Sequence, residues 1–173
     1  MAKAKRKKPE PIQIAQPTDE QWAHGEYRRV GMSFRRVPVI ETLHADHKLT
    51  SRQFNGLARY RDLAIAEDRS LIEDSVGKMM RGAQGGGDGQ SLSALRVAIE
   101  LGRLERALGS LRNVARAIAV EDQTISAWAM AQHGSIERTR GNVVKFEPSK
   151  TAFNEGWIEI RMAGERLAAE IGA

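Results

Sequence analysis

Residues 49–80 constrain the fold more than any other stretch. Thr50 and Gln53 stand at capping-box spacing, in which each side chain satisfies the other residue's free backbone N–H, and Leu49 can pack on Phe54 as a hydrophobic staple. Beyond the cap, Phe54, Leu57, Tyr60, Ala64, Ile72, Val76 and Met79 keep helical spacing, while Arg59, Asp62, Glu67, Arg69 and Glu73 fall on the opposite side. The spacing predicts one long helix, or two broken near Asp68, that holds the N-terminal half together and can present a dimer face. Ala, Leu, Arg and Glu abound elsewhere, aromatic residues make up only 5%, and Val, Ile and Thr do not alternate in runs. That mix favours helix over sheet. The expected class is all-α.

A chain of 173 residues suits one compact domain or two small ones. It contains no cysteine, which excludes disulfides and thiolate metal sites. No apolar run approaches the roughly 18 residues of a membrane span. The basic N-terminus has no apolar segment behind it, so it does not read as a secretory signal. The expected location is cytoplasmic. Lys3, Lys5, Arg6, Lys7 and Lys8 supply a charge equal to the whole chain's net +5, so the rest of the sequence is balanced. A pI near 9.8 is therefore weak evidence for a nucleic-acid partner. The tail itself either adds nonspecific phosphate contacts through those five residues or is a plain flexible terminus.

The expected organisation has four parts. Residues 1–16, with two prolines and the charge run, read as a disordered basic tail. Residues 17–81 form an N-terminal helical region. In it Thr18 and Gln21 suggest a cap for a short helix from Trp22 to about Tyr27. Arg28, Arg29, Arg35 and Arg36 surround Phe34; they could grip phosphate, although pairing with carboxylates is the favoured reading. Pro38 opens a helix with Val39, Ile40, Leu43 and His47 on one face. His44 and His47 raise a metal question, but two histidines fall short of the three or four ligands zinc needs, and no metal or cofactor is expected. Residues 82–90 hold GAQGGGDG, with five glycines in eight positions. A phosphate-binding loop would need a preceding strand and a following Lys-Ser or Lys-Thr pair, so a linker is the better reading.

Residues 91–173 carry the most specific signal. A helix with Leu92, Leu95, Ile99, Leu104 and Leu108 inward is followed by LRNVARAIAVEDQTISAWAMAQ, residues 111–132. This stretch scans as a helix from Leu111 to Ile118 with Val114, Ala115 and Ile118 on one face. A turn at Ala119 and Val120 leads to a second helix, starting near Gln123, with Ile125 and Trp128 inward. The arrangement resembles the helix-turn-helix of DNA-binding repressors, whose second helix enters the major groove. It departs from the pattern in having Ala119 where the turn usually carries Gly. The resemblance implies that Gln123, Thr124, Ser126, Ala127 and Met130 face the bases. Gln can pair with adenine, and Ala can meet a thymine methyl. Glu121 and Asp122 would repel phosphate unless they cap the helix, and Asp122 is placed as that cap. Arg112 and Arg116 are the nearby cations. Val143, Val144 and Phe146 suggest a short strand that could act as a wing, with Arg138, Arg140 and Lys145 toward the DNA backbone. Ser149 or Thr151 caps a last helix with Phe153, Trp157, Ile160, Gly164, Leu167 and Ile171 inward, although Trp157 to Ile160 also alternates like a strand.

The order YRRVGMSFRRVPVIETL, then LTSRQFNGLARYRDL, then a Gly-rich joint before LRNVARAIAVEDQTISAW, resembles small helical proteins of phages and prophages in alphaproteobacteria. That resemblance implies a phage-type transcriptional regulator that binds duplex DNA as a homo-oligomer, with RNA polymerase or other phage proteins as further partners. The alternative is a helical interaction or assembly protein, or a small terminase-like packaging subunit, in which the two-helix motif is only core. No Gly-x-Ser-x-Gly setting or Asp/Glu/His cluster suggests an enzyme.

Overall fold

The computed structural model describes residues 16, 18, 27–30, 33–81, 92–140 and 143–172. The chain divides into two compact units, residues 1–37 and 38–173. The basic tail, the Thr18–Gln21 cap apart from Thr18, and the Gly-rich stretch 82–90 lie outside the described residues.

In the first unit, β1 (Tyr27–Val30) and β2 (Ser33–Arg36) form an antiparallel hairpin, with Tyr27 opposite Arg36 and Arg28 opposite Arg35. This corrects the assignment of Tyr27 to the end of a helix and adds a small hairpin to a chain that is mostly helical, as expected. Tyr, Val and Phe favour the pleated conformation, and only two residues separate the strands, the commonest hairpin spacing.

The second unit is mostly helical. It contains α1 (Val39–Ala45), α2 (Ser51–Arg81), α3 (Leu92–Leu108), α4 (Arg112–Ala115), α5 (Ile125–His133) and α6 (Lys150–Ile171). A 3₁₀ turn (Gly109–Leu111) precedes α4, and a π turn (Arg116–Val120) follows it. Between α5 and α6 lies a second hairpin, β3 (Ile136–Arg140) and β4 (Val143–Glu147).

Helix α2 is continuous through Asp68. Its capping box forms as the spacing predicts: Gln53 N donates to Thr50 Oγ1 at 3.2 Å, and Thr50 N donates to Gln53 Oε1 at 3.0 Å. Leu57, Tyr60, Leu63 and Ala64 line its buried side. Helix α6 crosses it at van der Waals limits. A Cβ built on Gly56 would stand 2.7 Å from Gly164 O, and one on Gly164 would stand 2.9 Å from Gln53 Cβ. The two glycines thus permit a backbone approach that any side chain would prevent. Ser149 caps α6, accepting from Ala152 N at 3.1 Å, so residues 157–160 are helical and the strand alternative is excluded.

Ile40, Leu57, Tyr60, Leu104, Leu108, Val114, Ile118, Ile160 and Leu167 are fully buried in one cluster. Sequence reading puts a division at residues 82–90, yet the helices before and after that stretch share this core. Arg59 of α2 also clasps Glu100 of α3 through contacts of 2.8–3.0 Å, and Arg166 donates to Leu108 O at 3.0 Å, satisfying a carbonyl at the end of α3.

Two inward assignments are corrected. Leu95 and Ile99 of α3 are 46% and 62% exposed, because the buried side of that helix runs through Leu101, Leu104 and Leu108. His47 is exposed with φ 56°, beyond the end of α1, while Ile40 and Leu43 take the buried positions. Among the described residues no group of three His, Asp or Glu side chains could hold a metal ion, and no helix is long and apolar enough to cross a membrane.

Candidate nucleic-acid interface

Val114, Ala115, Ala117, Ile118 and Ala119 bury the inner side of α4 and the π turn. Ala115 is fully buried, as a close helix approach requires. The π turn carries the helix past the expected stop: Glu121 N donates to Arg116 O at 3.0 Å, and Gln123 N to Ala117 O at 2.9 Å. The chain therefore turns at residues 121–124 rather than at Ala119 and Val120.

The left-handed residue that closes the helix is Asp122, with φ 61°. Asp tolerates this region better than most residues, which explains how the turn forms without the glycine expected at position 119. Asp122 does not cap α5; Thr124 does, accepting from Ala127 N at 3.1 Å. Asp122 Oδ1 instead accepts from Val39 N at 2.8 Å, across 83 residues of sequence. Its carboxylate thereby serves a free N–H in the first turn of α1 and ties the 121–124 turn to that helix.

Helix α5 is anchored from behind. Ile125 and Trp128 are 4% and 6% exposed, and both lie against Gly156 of α6, where a Cβ would come within 3.1 Å of either side chain. Their burial leaves the other side of α5 outward. Thr124 and Ala127 are exposed, while Gln123, Ser126 and Met130 are half-buried. Gln123 Nε2 donates to Glu121 Oε2 at 3.0 Å. Nothing in the sequence reading anticipated this pair; its signal was the two-residue spacing across a turn.

The nearby cations are partly engaged. Arg112 Nη2 lies 3.0 Å from Glu105, and Arg116 lies 3.9 Å from both Asp68 and Glu121. The two Arg116 pairs are solvent-accessible, of the kind worth less than about 1 kcal/mol, so a competing anion could draw that arginine away, whereas the Glu105 partner of Arg112 is largely buried. After α5, Gly134 (φ 77°) ends the helix and the β3–β4 hairpin begins at Ile136. Arg138 stands directly opposite Lys145, and Arg140 opposite Val143. Residues 138, 140 and 145 therefore occupy one side of the ribbon, and 137, 139, 144 and 146 the other. Arg138 lies 3.6 Å from Glu147. The expected single strand at residues 143–146 thus has a partner, residues 136–140, that the sequence reading missed. The basic residues Lys3, Lys5, Arg6, Lys7 and Lys8 lie outside the described residues.

No protein-family model, curated protein or solved structure matches the chain.

Proposed function

We propose that the chain binds duplex DNA, with α4, the π turn and α5 acting as a helix-turn-helix, α5 in the major groove and the β3–β4 hairpin as a wing on the backbone. The observation that carries this reading is a coincidence of two surfaces. Helix α5 turns Ile125 and Trp128 inward and leaves an uncharged side outward, with Thr124 and Ala127 exposed and Gln123, Ser126 and Met130 half-buried. Within three residues of its end comes a ribbon whose register puts the basic positions 138, 140 and 145 on one side together with Ile136, Val143 and Glu147, the last 3.6 Å from Arg138. A groove-reading helix beside a cationic ribbon divides the work as DNA recognition requires, with base edges read by one and phosphates held by the other. Transcriptional regulation is the role that the sequence resemblance adds.

The test is the anisotropy of labelled duplex DNA at two salt concentrations, with the intact chain and with residues 1–8 removed. The reading predicts salt-dependent binding that survives tail removal and weakens in Gln123→Ala and Ser126→Ala. Binding that vanishes with the tail would refute it.

The exposed pair Leu95 and Ile99, one turn apart on α3, favours a second reading as an assembly protein. In that reading Ile99→Ser would lower the oligomer size in sedimentation and leave no DNA binding to account for.

A further inference from the structure

We infer that the base pairs read by α5 are A·T pairs, that Gln123 is the residue that selects adenine, and that Glu121 is the positioning residue that orients it. The inference rests on the DNA-binding reading above and adds its specificity.

From Gln123 to His133 the chain carries no arginine and no lysine. The commonest specific contact in the major groove is a bidentate Arg or Lys bond to guanine O6 and N7. Helix α5 cannot make it. What it offers outward is different. Ala127 and Ala131 are exposed and Met130 is half-buried, four and three residues apart along one side of the helix. These side chains have no donors, and their methyl groups complement the C5-methyl that marks thymine in the groove.

Gln123 is the amide at the entrance to this side. An amide reads adenine by donating to N7 and accepting from the N6 amino group, and the same amide turned over presents the wrong pattern. In this chain one orientation of the amide is favoured: one N–H of Nε2 donates to Glu121 Oε2 at 3.0 Å. The second N–H and Oε1 remain as the donor and acceptor that adenine needs. Glu121 could otherwise accept from cytosine N4. Its carboxylate is taken up by Gln123 and lies 3.9 Å from Arg116, so it serves as a support rather than as a reader. Thr124 is similarly committed, its hydroxyl oxygen accepting from Ala127 N.

Glu121 also places a negative charge near the phosphates. Removing it should leave nonspecific attraction intact or stronger while loosening the amide. A residue needed only for folding would lower both affinity and discrimination.

The experiment starts from duplexes selected by the intact protein out of a random pool, followed by anisotropy on defined sites. Selected sites are expected to be A·T-rich where α5 docks. Replacing one contacted A·T pair by G·C, or its adenine by an analogue lacking N7, should weaken binding roughly 5- to 100-fold. Replacing thymine by uracil should cost a few-fold. Gln123→Ala should bind the A·T and G·C versions alike. Glu121→Ala should keep or gain affinity for unselected duplex while its preference for the selected site falls. Ala127→Arg should move the preference at its position toward guanine. Failure to bind any duplex would overturn the DNA-binding reading itself. Binding with G-rich selected sites, or with a preference indifferent to both adenine N7 and Gln123→Ala, would overturn this inference and leave DNA binding standing.

Discussion

Substituting Gly56 by alanine probes the crossing on which the helical unit is built. Alanine is the better helix former by about 1 kcal/mol, so at a tolerant site the change should stabilise the chain. At Gly56 the new Cβ would fall 2.7 Å from Gly164 O, 2.8 Å from Ala168 N and 3.0 Å from Leu167 Cβ. Two of these are backbone atoms of α6, which cannot rotate away as a side-chain tip could. The helices must separate, and overpacking of this kind costs about 1–3 kcal/mol or more, enough to outweigh the gain. Gly102 is the internal control: it lies within α3, and a Cβ there meets nothing within 4 Å. Gly102→Ala should raise the melting temperature by about 2–4 °C, and Gly56→Ala should lower it by at least a similar amount. Thermal unfolding followed by circular dichroism would measure both. A Gly56→Ala protein as stable as the unmodified chain would show that α2 and α6 do not approach this closely.

Asp122→Ala removes the 2.8 Å bond to Val39 N and puts alanine at φ 61°, a loss of about 1–3 kcal/mol in urea unfolding. Asp122→Asn keeps an acceptor oxygen and tolerance of the left-handed region, so it should stay close to the original stability; equal effects of the two changes would argue against both roles. Burial, and then the charge of Glu105, hold the Tyr60 phenol above its ordinary pKa of 10.0. The unfolded chain releases this proton first, so the contribution is complete below pH 10.0 and is lost as pH rises through the folded value. Tyr60→Phe should therefore show a shallower fall in stability on the alkaline side, and identical slopes in the two proteins would contradict the assignment.

Local chemistry made parts of the fold legible in the sequence. The Thr50–Gln53 box and the Ser149 cap need only neighbouring residues, and both formed where the spacing put them. The burial of Ile125 and Trp128 also followed from spacing alone. Failures arose where the deciding partner lies far away in sequence. Periodicity placed Leu95 and Ile99 on an inner face, but which side of α3 is inner depends on where α2 and α6 lie. Asp122 has the composition of a local cap, and its actual acceptor role is fixed by Val39, remote in the chain. The strands at residues 27–36 and 136–140 are four or five residues long and heavily charged, so neither shows the apolar alternation by which strands are recognised.

The chain contains no cysteine, so a single thiol can report contact at a chosen point on its surface. Ala127→Cys places that thiol on the outward side of α5. Ile158→Cys places it on an exposed position of α6, two residues past Gly156 and so roughly opposite the side that holds α5. Alkylation rates of both proteins, measured with and without saturating duplex DNA, test directly whether α5 lies in the groove. Strong protection at position 127 with an unchanged rate at 158 is the predicted result. A position 127 thiol that reacts equally fast on DNA-bound protein would contradict it.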